Sequence, residues 1–160
     1  MIAADSGPLI ALARIGHLHL LRDLFQSVLV PQAVIAECCV GENRPGSKAI
    51  AQALKQGWLK RKRLPARILL LGRPTMGEGE NAAIALAHHL GSPLLIDDKT
   101  ARKIASRSGV SVVGTAAVLI EAKRKRLVRR VKPLIEDLKR GGYRLSDELI
   151  ERVLARCHES

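Results

Sequence analysis

The chain has almost no aromatic side chains: Phe25, Trp58 and Tyr143 are the whole set in 160 residues. Three scattered rings cannot form a platform on which successive bases stack, so any grip on nucleic acid has to be made to phosphates. Long apolar runs are missing too. No stretch approaches the roughly 20 residues of a membrane-spanning helix, and the opening "MIAADSGPLIALARIG" has no basic n-region and contains an early acid. A cytoplasmic protein without membrane association is expected. Cysteine is scarce. Cys38 and Cys39 are adjacent and Cys157 lies near the end, which makes neither an even disulfide framework nor a metal knuckle. They read as buried or free thiols. Acids are outnumbered, 15 Asp and Glu against 27 Lys and Arg, leaving a net charge of +12. Fold stability does not require that surplus. It favours polyanionic partners, most simply nucleic acid, over the plainer alternative of a generally basic, solvated surface.

What the chain does have is enough apolar residues, 47%, for a single core at this length. Short apolar runs alternate with longer segments of helical period, which predicts an α/β domain with a central, mainly parallel sheet. "MIAAD", "SVLV", "SPLLID" and "VSVVG" read as strands. "PLIALARIG", "LHLLRDLF", "QAVIAECCV", "KAIAQALKQG", "GEGENAAIALAHHLG", "KTARKIASRSG" and "TAAVLIEAKRKRL" read as helices, several opened by Pro or stopped by Gly. "WLKRKRL" predicts an edge strand, followed by an irregular connection through "GRPTM". Two amphipathic helices, "VKPLIEDLKR" and "SDELIERVLARC", follow and are joined by "GGYR". One domain over 1–160 is expected, with a core of about 1–126 and a helical extension of about 127–160.

The few acids fall at informative places. Asp5 and the pair Asp97/Asp98 follow predicted strands, and in an open parallel sheet ligands bind beyond the carboxyl ends of the strands. Glu37 lies in the helix after the second strand, and Glu78 and Glu80 open another helix. These four separate segments can meet in one cluster. Crowded carboxylates resist ionisation unless a hard cation balances them, and Mg2+ or Mn2+ takes oxygen ligands of this kind. Such an ion can activate water for phosphodiester cleavage, so an acidic centre with a basic rim fits the cutting of a polyanion. Plainer readings stand beside these. Glu78 and Glu80 suit a helix dipole, Glu37 can be a surface residue, and Asp97 or Asp98 can cap the following helix. Asp5 is hardest to explain away, because an acid just after a buried strand is costly unless capped or liganded. Ser6 can help position a ligand or cap its own helix. The five histidines show no metal-type spacing, and "GEGEN" lacks a Walker lysine.

In order along the chain, "DSGPLIALARIG", "VLVPQAVIAEC", "GEGENAAIALA" and "LLIDDKTAR" resemble the blocks of the PIN-domain family, in the compact prokaryotic branch of VapC-type toxins. The resemblance covers nearly the whole chain. It implies a three-layer α/β/α fold with extra C-terminal helices and a Mg2+- or Mn2+-dependent ribonuclease site. Asp5, Glu37, Glu80 and Asp98 match the four catalytic acids; Asp97 is an auxiliary ligand or the true fourth acid, and Ser6 and Glu78 are auxiliary. Lys99, Arg102, Lys103, Lys123, Arg124, Lys125 and Arg126 are the expected RNA-binding bases. A small antitoxin protein and a homodimer are the expected partners, besides RNA. Two features depart from the pattern: "KTAR" where an aspartate and an aromatic often follow the fourth acid, and the helical tail from about Leu127. A non-catalytic RNA- or protein-binding module of the same fold is the competing expectation.

Overall fold

The structure is a computed structural model that describes residues 1–39, 44–69 and 75–160. Among the described residues there are five strands, β1 (Ile2–Ala4), β2 (Val28–Val30), β3 (Leu59–Arg61), β4 (Leu94–Leu95) and β5 (Val112–Val113). All pair in parallel, in the order β3-β2-β1-β4-β5. Parallel neighbours need crossovers, and helices supply them. These are α1 (Ser6–Arg14), α2 (His19–Phe25), α3 (Gln32–Cys39), α4 (Ser47–Gln56), the short α5 (Ala66–Leu69), α6 (Glu78–Leu90), α7 (Lys99–Arg107) and α8 (Thr115–Arg124), then α9 (Lys132–Arg140) and α10 (Asp147–Arg156). The result is the three-layer α/β/α architecture.

The inner strands β1, β2 and β4 are buried on both faces, so their runs are apolar throughout instead of alternating. β3 lies at the edge, where exposed Lys60 and Arg61 discourage further strand pairing. Helix ends follow local chemistry. Gly57 and Gly91 stop α4 and α6 in left-handed conformations that a side chain would disfavour. Sequence reading finds the main elements, most within a residue or two of their ends, though β3 and α8 each stop three residues short of "WLKRKRL" and "TAAVLIEAKRKRL". It misses α5, inside the connection it reads as irregular. Parts of "GENRPGS" and "GRPTM" fall outside the described residues.

Strand order places a topological switch between β1 and β4: the chain leaves β1 for β2 and β3 on one side and reaches β4 and β5 on the other. The tail beyond Leu127 packs into the same hydrophobic cluster as the rest, through Val131, Leu134, Ile135, Leu138 and Val153. Glu159 then clasps it. Its carboxylate accepts from the Val131 and Lys132 N–H groups at 2.8 and 3.1 Å, capping α9 from 27 residues away, and pairs with Lys123 at 3.0 Å. Burial pushes that carboxyl up, but these donors outweigh it and hold it below its ordinary value. Cys38 and Cys157 are buried. Among the described residues no helix is long and apolar enough to cross a membrane.

Candidate active site

Asp5 sits where β1 gives way to α1. Its N–H continues the sheet ladder to the Leu95 carbonyl at 2.9 Å, and its side chain is not used to cap α1. The residue is 6% exposed, and Oδ1 has no hydrogen-bond partner among the described residues. Burial is the main reason its pKa rises from 3.8 to about 6; the Ser6 N–H opposes this, and the charges of Glu80, Glu37 and Asp98 add to it. Those three carboxylates therefore stand within electrostatic reach of Asp5, each on a different element.

Glu37 extends from α3 and accepts from Ser6 Oγ at 2.5 Å. Thus Ser6 orients a second acid and does not cap its own helix. The first turn of α6 passes so close that a Cβ on Gly79 would overlap the Glu37 carboxylate, and only glycine leaves that space. One residue on, half-buried Glu80 is pushed up by burial first and then by the charge of Asp98, with the Gly77 N–H opposing and Glu37 adding. Glu78 is exposed and does not act on either of the raised acids.

The adjacent aspartates part ways. Asp98 caps α7, its Oδ2 accepting from the Ala101 N–H at 2.9 Å, and its charge reaches both Asp5 and Glu80. Capping and membership of the acid cluster fall on one residue. Asp97 turns away: Oδ1 accepts from the Thr115 N–H at 2.8 Å, and Oδ2 from Thr115 Oγ1 at 2.5 Å and from the Tyr143 hydroxyl. Burial raises its pKa, while both Thr115 hydrogen bonds and Arg102 work against the rise. Arg102 also donates to the Ile96 carbonyl at 2.8 Å, packed beside Gly114, where a Cβ would crowd both it and Asp97. Thr115, Tyr143, Gly79 and Gly114 are not among the residues that sequence reading singles out. For Thr115 a signal exists, in "VVGT" at the end of a strand; for Tyr143, in a distant turn, none does.

The bases divide by edge. Lys99, Arg102 and Lys103 lie in the first two turns of α7 beside Asp98. α8 begins at Thr115, in contact with Asp97, and runs away, so Lys123 to Arg126 lie about 14 Å down its axis. Of that group Lys123 is paired with Glu159 and Arg124 with Glu121.

The donor set, all carboxylate oxygen around a buried oxygen without a partner, fits a hard divalent cation. Among the described residues no group of three acids, histidines or cysteines is placed to hold one ion as the side chains stand. Ser6, Ala101 N–H and Gly79 fix or make room for the carboxylates that border Asp5.

A family model described as DUF3368, a PIN domain, matches residues 1–159. No curated protein matches the chain. Among solved structures it is similar to a PilT N-terminus domain protein from the hyperthermophilic archaeon Sulfolobus solfataricus. The TM-score is 0.53 at 17% identity, over 76% of this chain and 93% of that one. At that identity the likeness speaks to the fold.

Proposed function

Since the chain belongs to the PIN-domain family, a nuclease fold, we propose that it is a Mg2+- or Mn2+-dependent endoribonuclease whose acids are Asp5, Glu37, Glu80 and Asp98. The carrying observation is Asp5: a carboxylate buried without a partner for Oδ1, bordered by three more acids from three other elements. Such an arrangement is costly for a fold and useful for holding a cation. When bound, the metal would supply an activated water and charge stabilisation at the leaving oxygen. The protein supplies the rest. Ser6 holds Glu37, the start of α7 holds Asp98, and Lys99 and Lys103 stand exposed beside the acids to receive phosphates. Asp97 has no part as a ligand in this reading, because Thr115 and Tyr143 take its oxygens.

Cleavage of single-stranded RNA with added Mn2+, by wild type and by Asp5→Asn, tests this. Loss of cleavage in the variant is expected; equal rates, or none from either protein, would sink it. One observation favours the non-catalytic alternative, an RNA- or protein-binding module: among the described residues the carboxylates do not close around a single point. Calorimetric titration with Mn2+ separates the two, since a module without a metal role shows no uptake that depends on Asp5.

The likeness of the four motif blocks to VapC-type proteins supports a narrower form of the proposal. In it the chain is the toxin of a toxin–antitoxin pair, a cytoplasmic homodimer silenced by a small antitoxin protein. Growth arrest on expression, relieved by the neighbouring gene product, is the expected outcome; unimpaired growth removes this narrower form and leaves the nuclease.

A further inference from the structure

We propose that the opposite edge of the sheet, where the strands begin, is a second RNA-binding surface separate from the acids. The inference deepens the ribonuclease reading and rests on it. In a parallel sheet each helix that follows a strand returns to the edge where the next strand starts. α7 ends at that edge with Arg107, and α8, which follows the last strand, runs into a connection that lies beside His17, after α1, and carries the run from Lys123 to Arg126 there. The connection to α9 adds Arg129 and Arg130. They line, with His17, Leu127, Val128 and Pro133, an open cavity of about 550 Å³.

Some of these bases have structural duties. Lys123 pairs with Glu159 and Arg124 with Glu121, and Arg130 stands 3.8 Å from Glu159 while remaining 64% exposed. Lys123 and Arg124 also answer the negative end of the α8 dipole. Lys125, Arg126 and Arg129 are different. They lie beyond the last turn of α8, are exposed, and form no ion pair with any described residue. Lys125 feels the Glu121 charge without forming an ion pair with it, and these three bases within five positions, next to a fourth that is largely exposed, still repel one another, a repulsion that a polyanion relieves.

The placement favours RNA over an acidic protein segment. Arg107 lies at the end of α7, Lys125 and Arg126 past α8, and Arg129 in the following connection. Of these bases Arg129 and Arg130 line the cavity, whereas Arg107, Lys125 and Arg126 lie outside its lining, and charge spread beyond the cavity matches a chain of regularly spaced phosphates better than a few carboxylates anchored by an apolar side chain. Among the described residues no aromatic ring lines the cavity except His17, so the contacts are electrostatic and largely independent of sequence. Substrates long enough to reach from the acid edge to this one are then favoured over short ones.

The test reads binding without cleavage, in Asp5→Asn protein, using single-stranded RNAs of about 4 to about 30 nucleotides over a range of salt concentrations. Affinity should rise with length, and the rise should vanish in a second protein that also carries Lys125→Gln, Arg126→Asn and Arg129→Gln. Asn is chosen because Arg126 has a φ of 60°, which Asn tolerates. Losing three phosphate contacts should lower the slope of log affinity against log salt by about 2. The single variant Arg129→Gln, at an exposed and unpaired position, guards against misfolding and should lower it by about 0.7. An unchanged length dependence and slope overturns the inference, as does absence of any rise in the parent protein. It is also overturned if polyglutamate displaces the long RNA as well as an RNA of equal charge does, since the surface then suits acidic proteins. Failure of wild type to cleave RNA would sink the enzyme reading without altering these binding measurements.

Discussion

Asp5 and Asp97 end neighbouring strands, are both largely buried, and are both pushed above the ordinary carboxylate range by desolvation. Their surroundings differ. Every oxygen of Asp97 is met by a donor, two from Thr115 and one from Tyr143, with the Arg102 charge alongside. Asp5 has an oxygen that no donor among the described residues meets, and its charged neighbours there are acids. A raised pKa alone reports burial; burial without partners, among like charges, reports a place where the fold gives up stability for something else. Asp97 holds the chain together, and Asp5 is the carboxylate that the proposed reading assigns to a cation.

The most severe way to break this contrast is Asp5→Asn. Cleavage should fall by more than about a hundredfold, beyond the usual cost of removing a group that merely supports a metal. Stability should move the other way. Asp5 binds its proton more tightly in the folded chain, at about 6 against 3.8. Its contribution is therefore complete below pH 3.8 and is lost as pH rises through about 6, a loss of about 3 kcal/mol at most. Without divalent cations the Asp5→Asn protein escapes that loss, so thermal unfolding at about pH 8 should place the variant up to about 10 °C above wild type, with the gap closing below about pH 4. Added Mn2+ should then stabilise wild type and leave the variant unmoved.

Gly79→Ala tests the same side of the comparison with a smaller effect. The new methyl would occupy the space of the Glu37 carboxylate. Because Glu37 is an exposed, flexible side chain it can swing aside, and alanine improves helix propensity, so the melting temperature should stay close to wild type. The carboxylate leaves Ser6 but is displaced, not removed, so cleavage should drop about tenfold, less than for Asp5→Asn and toward the lower end of the cost of disturbing a group at a metal site. A Gly79→Ala protein that cleaves at the wild-type rate would remove Glu37 from the proposed site.

How much of this contrast could be read from sequence depends on how far apart the partners lie in the chain. The strands and most helices are legible because each carries its own signal: apolar runs, Pro near starts, Gly91 at a stop. The acids at strand ends are legible for a related reason, since a buried strand followed at once by Asp leaves few explanations. The division of labour between Asp97 and Asp98 is not legible, because it depends on Thr115, 18 positions away, and Tyr143, 46 away. Nor is the separation of the bases. Lys123 to Arg126 look continuous with Lys99 along the chain, and only the direction of α8 carries them to the other edge.

On the Asp97 side, the expected losses are of stability. Asp97→Asn would turn an amide N–H2 toward the Thr115 and Tyr143 donors, leaving a buried donor unpaired, which costs about 1–3 kcal/mol. Unfolding in urea measures this, and the loss of Mn2+ affinity should be much smaller than for Asp5→Asn. If Asp97→Asn instead abolishes Mn2+ binding while melting normally, the two aspartates have exchanged roles.

Tyr143→Phe is the mildest test and the most discriminating. It removes one hydroxyl from Asp97 while keeping the ring, which packs against the core and lines the cleft between α1 and α9. Thr115 still donates twice to Asp97, so no buried oxygen is stranded and the cost should be about 1 kcal/mol. The same hydroxyl is the hydrogen-bonded tie between the turn after α9 and the end of β4. If it serves only the fold, Mn2+ affinity and the pH profile of cleavage should match wild type once the protein is kept well below its melting temperature. A shifted metal requirement at unchanged stability would mean that the tail sets the position of Asp98 through its neighbour, and that the contrast between the two carboxylates is one of degree.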